Sequence, residues 1–146
     1  MPTVNSQIYI RNTSSSTTGF IYSSGNYYRF TCSGKLKISG DITTLINKSG
    51  NVLDLSVKNN YFNGLFASNI SLIDASDLIL PSTILSYACY AGMFSGCSRL
   101  VTVPELPATT LADGCYASMF SSCASLTYAP ELPATTLAEG CYSGMF

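Results

Sequence analysis

Residues 85–110 read LSYACYAGMFSGCSRLVTVPELPATT and residues 111–136 read LADGCYASMFSSCASLTYAPELPATT, a 26-residue repeat with sixteen identical positions. A third copy, LAEGCYSGMF, starts at Leu137 and brings Cys141, Met145 and Phe146 into step with Cys115, Met119 and Phe120. A period in the twenties constrains the fold more than any other feature here. Each unit is too small to bury its apolar face alone and must stack on its neighbours, which gives a solenoid.

A divergent copy lies upstream. Leu65, Phe66, Asn69 and Leu72 precede Met93, Phe94, Cys97 and Leu100 by 28 residues, with two extra residues between Leu72 and Pro81. Two regions follow from this: a β-rich N-terminal cap segment over residues 1–60, and a repeat array over residues 61–146 whose last unit is incomplete. The third copy stops where its helix is expected to end, which suggests a piece of a longer protein.

Residues 8–10, 20–22, 27–32, 36–38 and 42–46 are short runs of Ile, Tyr, Phe and Thr between Ser, Gly and Asn, the punctuation of strands. Residues 28–32 and 35–38 alternate on either side of Ser33-Gly34, as a hairpin with one buried face does, leaving Arg29, Lys35 and Lys37 in solvent. Residues 12–19 read as a polar loop. The segment as a whole is expected to cover the open end of the stack.

Within a repeat, Leu111, Cys115, Met119 and Cys123 recur every four residues, which predicts a short helix with one buried face. Asp113, and Glu139 one copy later, stand where a helix start is capped. Gly96 and Ser122 mark its end, and Leu100 and Leu126 begin an extended segment. Pro104, Pro107, Pro130 and Pro133 force the PELP segments into a turn or edge connection. Each unit is therefore expected to be a strand, a proline-bounded turn and a short helix, an α/β repeat. Equivalent side chains stack in columns: Leu100 on Leu126, Cys97 on Cys123, Phe94 on Phe120 on Phe146.

The pattern C-Y-x-x-M-F-x-x-C-x-x-L followed by P-E-L-P-A-T-T-L resembles the BspA-like leucine-rich repeats, common in surface proteins of gut bacteria and in large proteins of their phages. YYRFTCSGKLKISGDITTLI resembles the β-segment that leads into such arrays. The resemblance spans residues 27–146 and implies a leucine-rich-repeat solenoid that works by binding or adhesion, with no catalytic residues. This chain places Met93, Met119 and Met145 before the helical Phe where the commoner form has Ala.

Chemistry-bearing residues are few. Five of the six cysteines fill two repeated columns, Cys89, Cys115, Cys141 and Cys97, Cys123; with no histidine and no C-x-x-C, zinc frameworks and Ser-His or Cys-His catalysis are unavailable. Buried free thiols are expected. Glu105 and Glu131 recur one unit apart and read as a solvated row, not a catalytic pair. Neither an enzyme nor a cofactor is expected.

Net charge is −1, with seven basic and eight acidic residues, so the cationic footprint of a nucleic-acid binder is missing. No apolar run reaches the length of a membrane span, and residues 1–12 show no signal-peptide pattern. Only 10% of the residues are charged, so the solvated face is expected to be built largely from Ser, Thr, Asn and Tyr, which suits a cell-surface, extracellular or phage-particle location. The column Tyr90, Tyr116, Tyr142 reads as the wet margin of the core.

Differences between the copies cluster after the helix, at Arg99/Ser125, Thr102/Tyr128 and their neighbours. Arg99, Thr102, Ser125 and Tyr128 are thus the candidate contact residues of a noncatalytic module that binds protein or glycan on a host or particle surface; a structural spacer or display repeat is the alternative. An uncapped last repeat is expected to allow self-association.

Overall fold

The computed structural model describes residues 34–46 and 50–146. The expected strands at residues 8–10, 20–22 and 27–32, the loop at 12–19, Arg29 and Cys32 lie outside them.

Strand β1, Leu36–Asp41, pairs in parallel with strand β2, Leu72–Ile79. Isolated parallel bridges carry the pairing onward, Asp74 to Thr102 and Asp54 to Ile84 to Thr110. Ten residues separate Asp74 from Ile84 and eight separate Thr102 from Thr110, so the two extra residues of the divergent copy fall between Asp74 and Ile84. Residues 42–46 are not a strand. Asp41 ends β1 and caps a 3₁₀ turn over Ile42–Leu45, its Oδ1 accepting from the Thr43 amide at 2.8 Å, which buries Ile42, Thr43 and Leu45. A short apolar run of this kind has no period that separates strand from helix, and the capping aspartate decides.

No α-helix occurs among the described residues. Where the four-residue spacing predicts one, the backbone is a run of overlapping turns. Amides at alternate positions donate three residues back, Cys89 to Ser86, Ala91 to Ala88, Met93 to Tyr90, Ser95 to Gly92 and Cys97 to Phe94, at 3.0–3.3 Å. The intervening amides leave the unit altogether. Tyr90 donates to the Cys115 carbonyl, Gly92 to Ala117, Phe94 to Met119 and Gly96 to Ser121, at 2.8–2.9 Å. An α-helix would have sent these donors four residues back along its own chain.

Left-handed φ at every fourth residue is what closes these turns. Ala88, Gly92 and Gly96 lie at φ +51°, +60° and +74°; Gly114, Ser118 and Ser122, one unit later, lie at +61°, +55° and +60°. Glycine tolerates this region and serine adopts it at a cost. The same spacing aims a pair of side chains inward per turn: Cys89-Tyr90, Met93-Phe94, then Cys97 are all fully buried, and Cys115-Tyr116, Met119-Phe120, then Cys123 repeat the pattern. The buried face expected from the spacing is there, on a different backbone.

Successive copies lie directly on one another. Phe66, Phe94, Phe120 and Phe146 form one ring column with centroids 5.6, 5.6 and 5.8 Å apart, and Phe62, Tyr90, Tyr116 and Tyr142 form a second at 5.6, 5.7 and 5.9 Å. Removal of these rings and the Met and Leu columns from water, at about 25 cal/mol per Å² of apolar surface, is the main stabilising contribution. Ile42, Leu45 and Ile46 belong to the same continuous core.

Candidate functional site

Of the variable positions after the turn run, Thr102 continues the register of β1 and β2. Lys37 pairs with Asp74 and Asp74 bridges Thr102, forming a lateral row; Tyr128 follows Thr102 by one period in the sequence, with no bridge to it among the described residues. The Asp74 carboxylate is fully occupied. Oδ2 accepts from Lys37 Nζ at 2.6 Å, and Oδ1 accepts from the Ser76 amide at 3.0 Å, from Ser76 Oγ at 2.7 Å and from Thr102 Oγ1. Lys37 above all, then Thr102 and Ser76, hold the carboxyl well below the usual carboxylate range, and the Lys37 ammonium is raised in return.

Two of the four candidate contact residues thereby lose their polar groups to the scaffold. Thr102 donates its hydroxyl to Asp74, and Ser125 donates its own to the Ser98 carbonyl at 2.8 Å. Arg99 and Tyr128 remain exposed, Tyr128 at 51%. Lys37 and Asp74 were missed by the reading of the sequence. The available signal was arithmetic, because Asp74 precedes Thr102 by the same 28 residues that relate Phe66 to Phe94.

Tyr128 also borders an open hollow of about 420 Å³, floored by Phe120, Cys123 and Leu126 and flanked by Ser122 and Phe146. In the preceding copy the corresponding surface is covered: Leu100 is fully buried and Leu126 only partly so.

The tyrosine column is not a wet margin. Tyr90 and Tyr116 are buried with their rings, and neither hydroxyl has a hydrogen-bond partner among the described residues. Burial pushes both phenols up. Only Tyr142, in the outermost copy, is partly exposed. Aromatic stacking from one copy to the next fixes the ring, and the hydroxyl travels inward with it.

Cys89, Cys97, Cys115, Cys123 and Cys141 are free and buried. The Cys97 thiol donates to the Phe66 carbonyl at 3.1 Å and the Cys123 thiol to the Phe94 carbonyl at 3.2 Å. Burial pushes Cys89 up to about 12 and Cys97, Cys115 and Cys123 up to about 11, the opposite of an activated nucleophile. Asp113 does not cap its own turn; its Oδ1 accepts from the Glu139 amide of the next copy at 3.1 Å. Glu105 and Glu131 are both exposed. Among the described residues no group of three or more His, Cys, Asp or Glu is placed to hold a metal, and no helix is long and apolar enough to cross a membrane.

No protein-family model matches the chain, and no curated protein or solved structure matches it.

Proposed function

We propose that the chain is a BspA-like leucine-rich-repeat solenoid acting as a noncatalytic recognition or adhesion module, held at a cell surface, in the extracellular space or on a phage particle. Protein or glycan on a host or particle surface would meet its lateral row. The observation that carries this reading is the state of Tyr128: an aromatic ring half in solvent, at the position where the preceding copy has a threonine bound to Asp74. Tyrosine offers rigid contact area with a polar tip at little entropic cost, which suits a binding surface. Arg99 adds an exposed guanidinium, whereas Thr102 and Ser125 shape the row through the scaffold. Residues 34–46 serve as part of the N-terminal cap, supported by the place of Ile42, Leu45 and Ile46 in the core.

The test is a glycan and host-surface array comparing wild type with Tyr128→Ala and Arg99→Ala. Each variant is expected to keep its melting temperature within a few degrees, as exposed substitutions do, and to bind about five- to thirty-fold more weakly, the loss of about 1–2 kcal/mol common for an interface anchor. Equal binding by all three proteins would transfer the role to a spacer or display repeat.

A further inference from the structure

Asn63-Gly64 is the one Asn-Gly pair in the sequence. It sits in the turn run of the divergent upstream copy, where the later copies carry Ala91-Gly92, Ala117-Ser118 and Ser143-Gly144 and have no side-chain amide to lose. An asparagine followed by glycine is the pair least hindered against attack on its side chain by the next backbone nitrogen, because glycine has no Cβ to crowd the five-membered ring that forms.

The stack ties down both reacting groups. The Gly64 amide, which must give up its proton to become the nucleophile, donates to the Ala91 carbonyl of the next copy at 2.9 Å. The Asn63 side-chain amide is turned to Asn60, its Nδ2 donating to Asn60 Oδ1 at 3.3 Å. Gly64 is buried at φ +64°, and its carbonyl accepts from the Ala67 amide at 2.9 Å, so the residue is held on both sides.

We infer that Asn63 is a self-modification site gated by the stack: it closes a succinimide with Gly64 when the upstream copy lifts from the copy that follows, and is protected while the Gly64–Ala91 bond stands. On opening, the Gly64 nitrogen loses its proton to water or hydroxide and attacks Asn63 Cγ; the Cγ–Nδ2 bond breaks and that nitrogen leaves as ammonia. Water then opens the imide at one carbonyl or the other, leaving aspartate or isoaspartate. The sum is amide plus water to carboxylic acid plus ammonia, with no redox step. Opening of one copy suits a repeat array, in which each unit contacts only its neighbours and local opening costs less than global unfolding. Isoaspartate inserts a methylene into the main chain, which moves Gly64 out of line with Ala91 and shifts Leu65 and Phe66 along their columns. The original stacking is then blocked, and the opening leaves a covalent mark. The gate depends on the stacking of the copies and not on the lateral row.

The experiment incubates the full chain, reduced, at mildly alkaline pH beside the same chain in urea and a synthetic peptide of residues 59–68. Mass spectrometry reads deamidation at Asn63, and NMR reads hydrogen exchange at the Gly64 amide. Equal rates are expected for the peptide and the chain in urea, with the native chain slower by about tenfold or more, the factor by which opening is rare. Phe62→Ala, which removes the ring stacked on Tyr90, should speed deamidation and Gly64 exchange by the same factor. Should this variant unfold, urea below the unfolding transition supplies the same graded opening in wild type. Native deamidation as fast as the peptide's, an Asn63 left intact in urea, or free exchange at Gly64 with deamidation still at the native rate would overturn the inference.

Discussion

The Tyr90 and Tyr116 rings stack 5.7 Å apart and only 12° from parallel, with both hydroxyls buried and neither hydrogen-bonded among the described residues. The ring stabilises and the hydroxyl opposes: a phenol removed from water without a partner costs about 1–3 kcal/mol. In the same column the divergent upstream copy carries Phe62, which stacks on Tyr90 at 5.6 Å. Tyr116→Phe should therefore keep the fold and raise stability by about 1 kcal/mol, read from the urea midpoint at unchanged slope. A loss of stability would show that the hydroxyl has a partner in solution.

Gly92, Ser118 and Gly144 occupy one column, at φ +60°, +55° and +57°. A serine there bears the steric cost of a Cβ in the left-handed region, about 1–2 kcal/mol, partly offset by the smaller entropy it loses on folding. Ser118→Gly is expected to stabilise by about 0.5–1 kcal/mol and Gly92→Ala to destabilise by about 1 kcal/mol. Gly96→Ala should be worse, because its Cβ would lie 3.3 Å from Ser68 Oγ and 3.4 Å from Ser68 Cα as well as at φ +74°. Thermal melts of the three variants settle the order, and a destabilised Ser118→Gly would contradict it.

Much of the stacking was legible in the sequence, and the backbone was not. Recurrence at 26 and 28 residues brings Phe66, Phe94, Phe120 and Phe146 together by counting alone, as the ring column shows. Spacing by four cannot distinguish a helix from a run of four-residue turns, since both bury Cys115, Met119 and Cys123 on one side. The glycines carried the missing information. Gly92 and Gly96 sit four apart inside the supposed helix, Gly144 recurs in the Gly92 column, and Gly114 and Gly140 share the column of Ala88, where glycine would weaken a helix but suits repeated left-handed turns. At the lateral row, repeat differences identified Tyr128. They could not show that Thr102 and Ser125 spend their hydroxyls on neighbouring copies, because those partners, Asp74 and the Ser98 carbonyl, are set by register across the stack.

Asp74 ties three segments of the row together, and its bonds differ in worth. The Lys37 ammonium is solvent-exposed, so Lys37→Met should change stability little. Thr102→Val removes a part-buried charge-assisted bond and is expected to cost about 1–2 kcal/mol. Because the folded carboxyl titrates below its unfolded value, its contribution is present above the ordinary aspartate range and is lost as the pH falls through the folded pKa. Denaturation midpoints between pH 6 and pH 2 should fall for wild type and fall less for Asp74→Asn. Parallel curves would remove Asp74 from the account.

Alkali should unfold the protein through its thiols. Cys89 titrates at about 12 and Cys97, Cys115 and Cys123 at about 11, against 9.0 for an unperturbed thiol, because burial disfavours the thiolate. A group raised in the folded state favours folding while the unfolded chain still holds its proton. Its contribution is intact below about pH 9 and is lost as the pH rises through 11 to 12. Tyr90 and Tyr116, raised by the same burial, act in the same direction above pH 10. Stability should thus be level from pH 7 to pH 8.5 and fall steeply beyond pH 9. At pH 8 the native chain should react slowly with a thiol reagent at Cys89, Cys97, Cys115 and Cys123, and the denatured chain should release all six thiols of the sequence promptly. Cys115→Ala, which leaves a small cavity for about 1–2 kcal/mol, should also blunt the alkaline fall. Fast labelling of the native protein at these positions, or an alkaline limb unchanged in this variant, would show that the thiols are not held neutral by the stack.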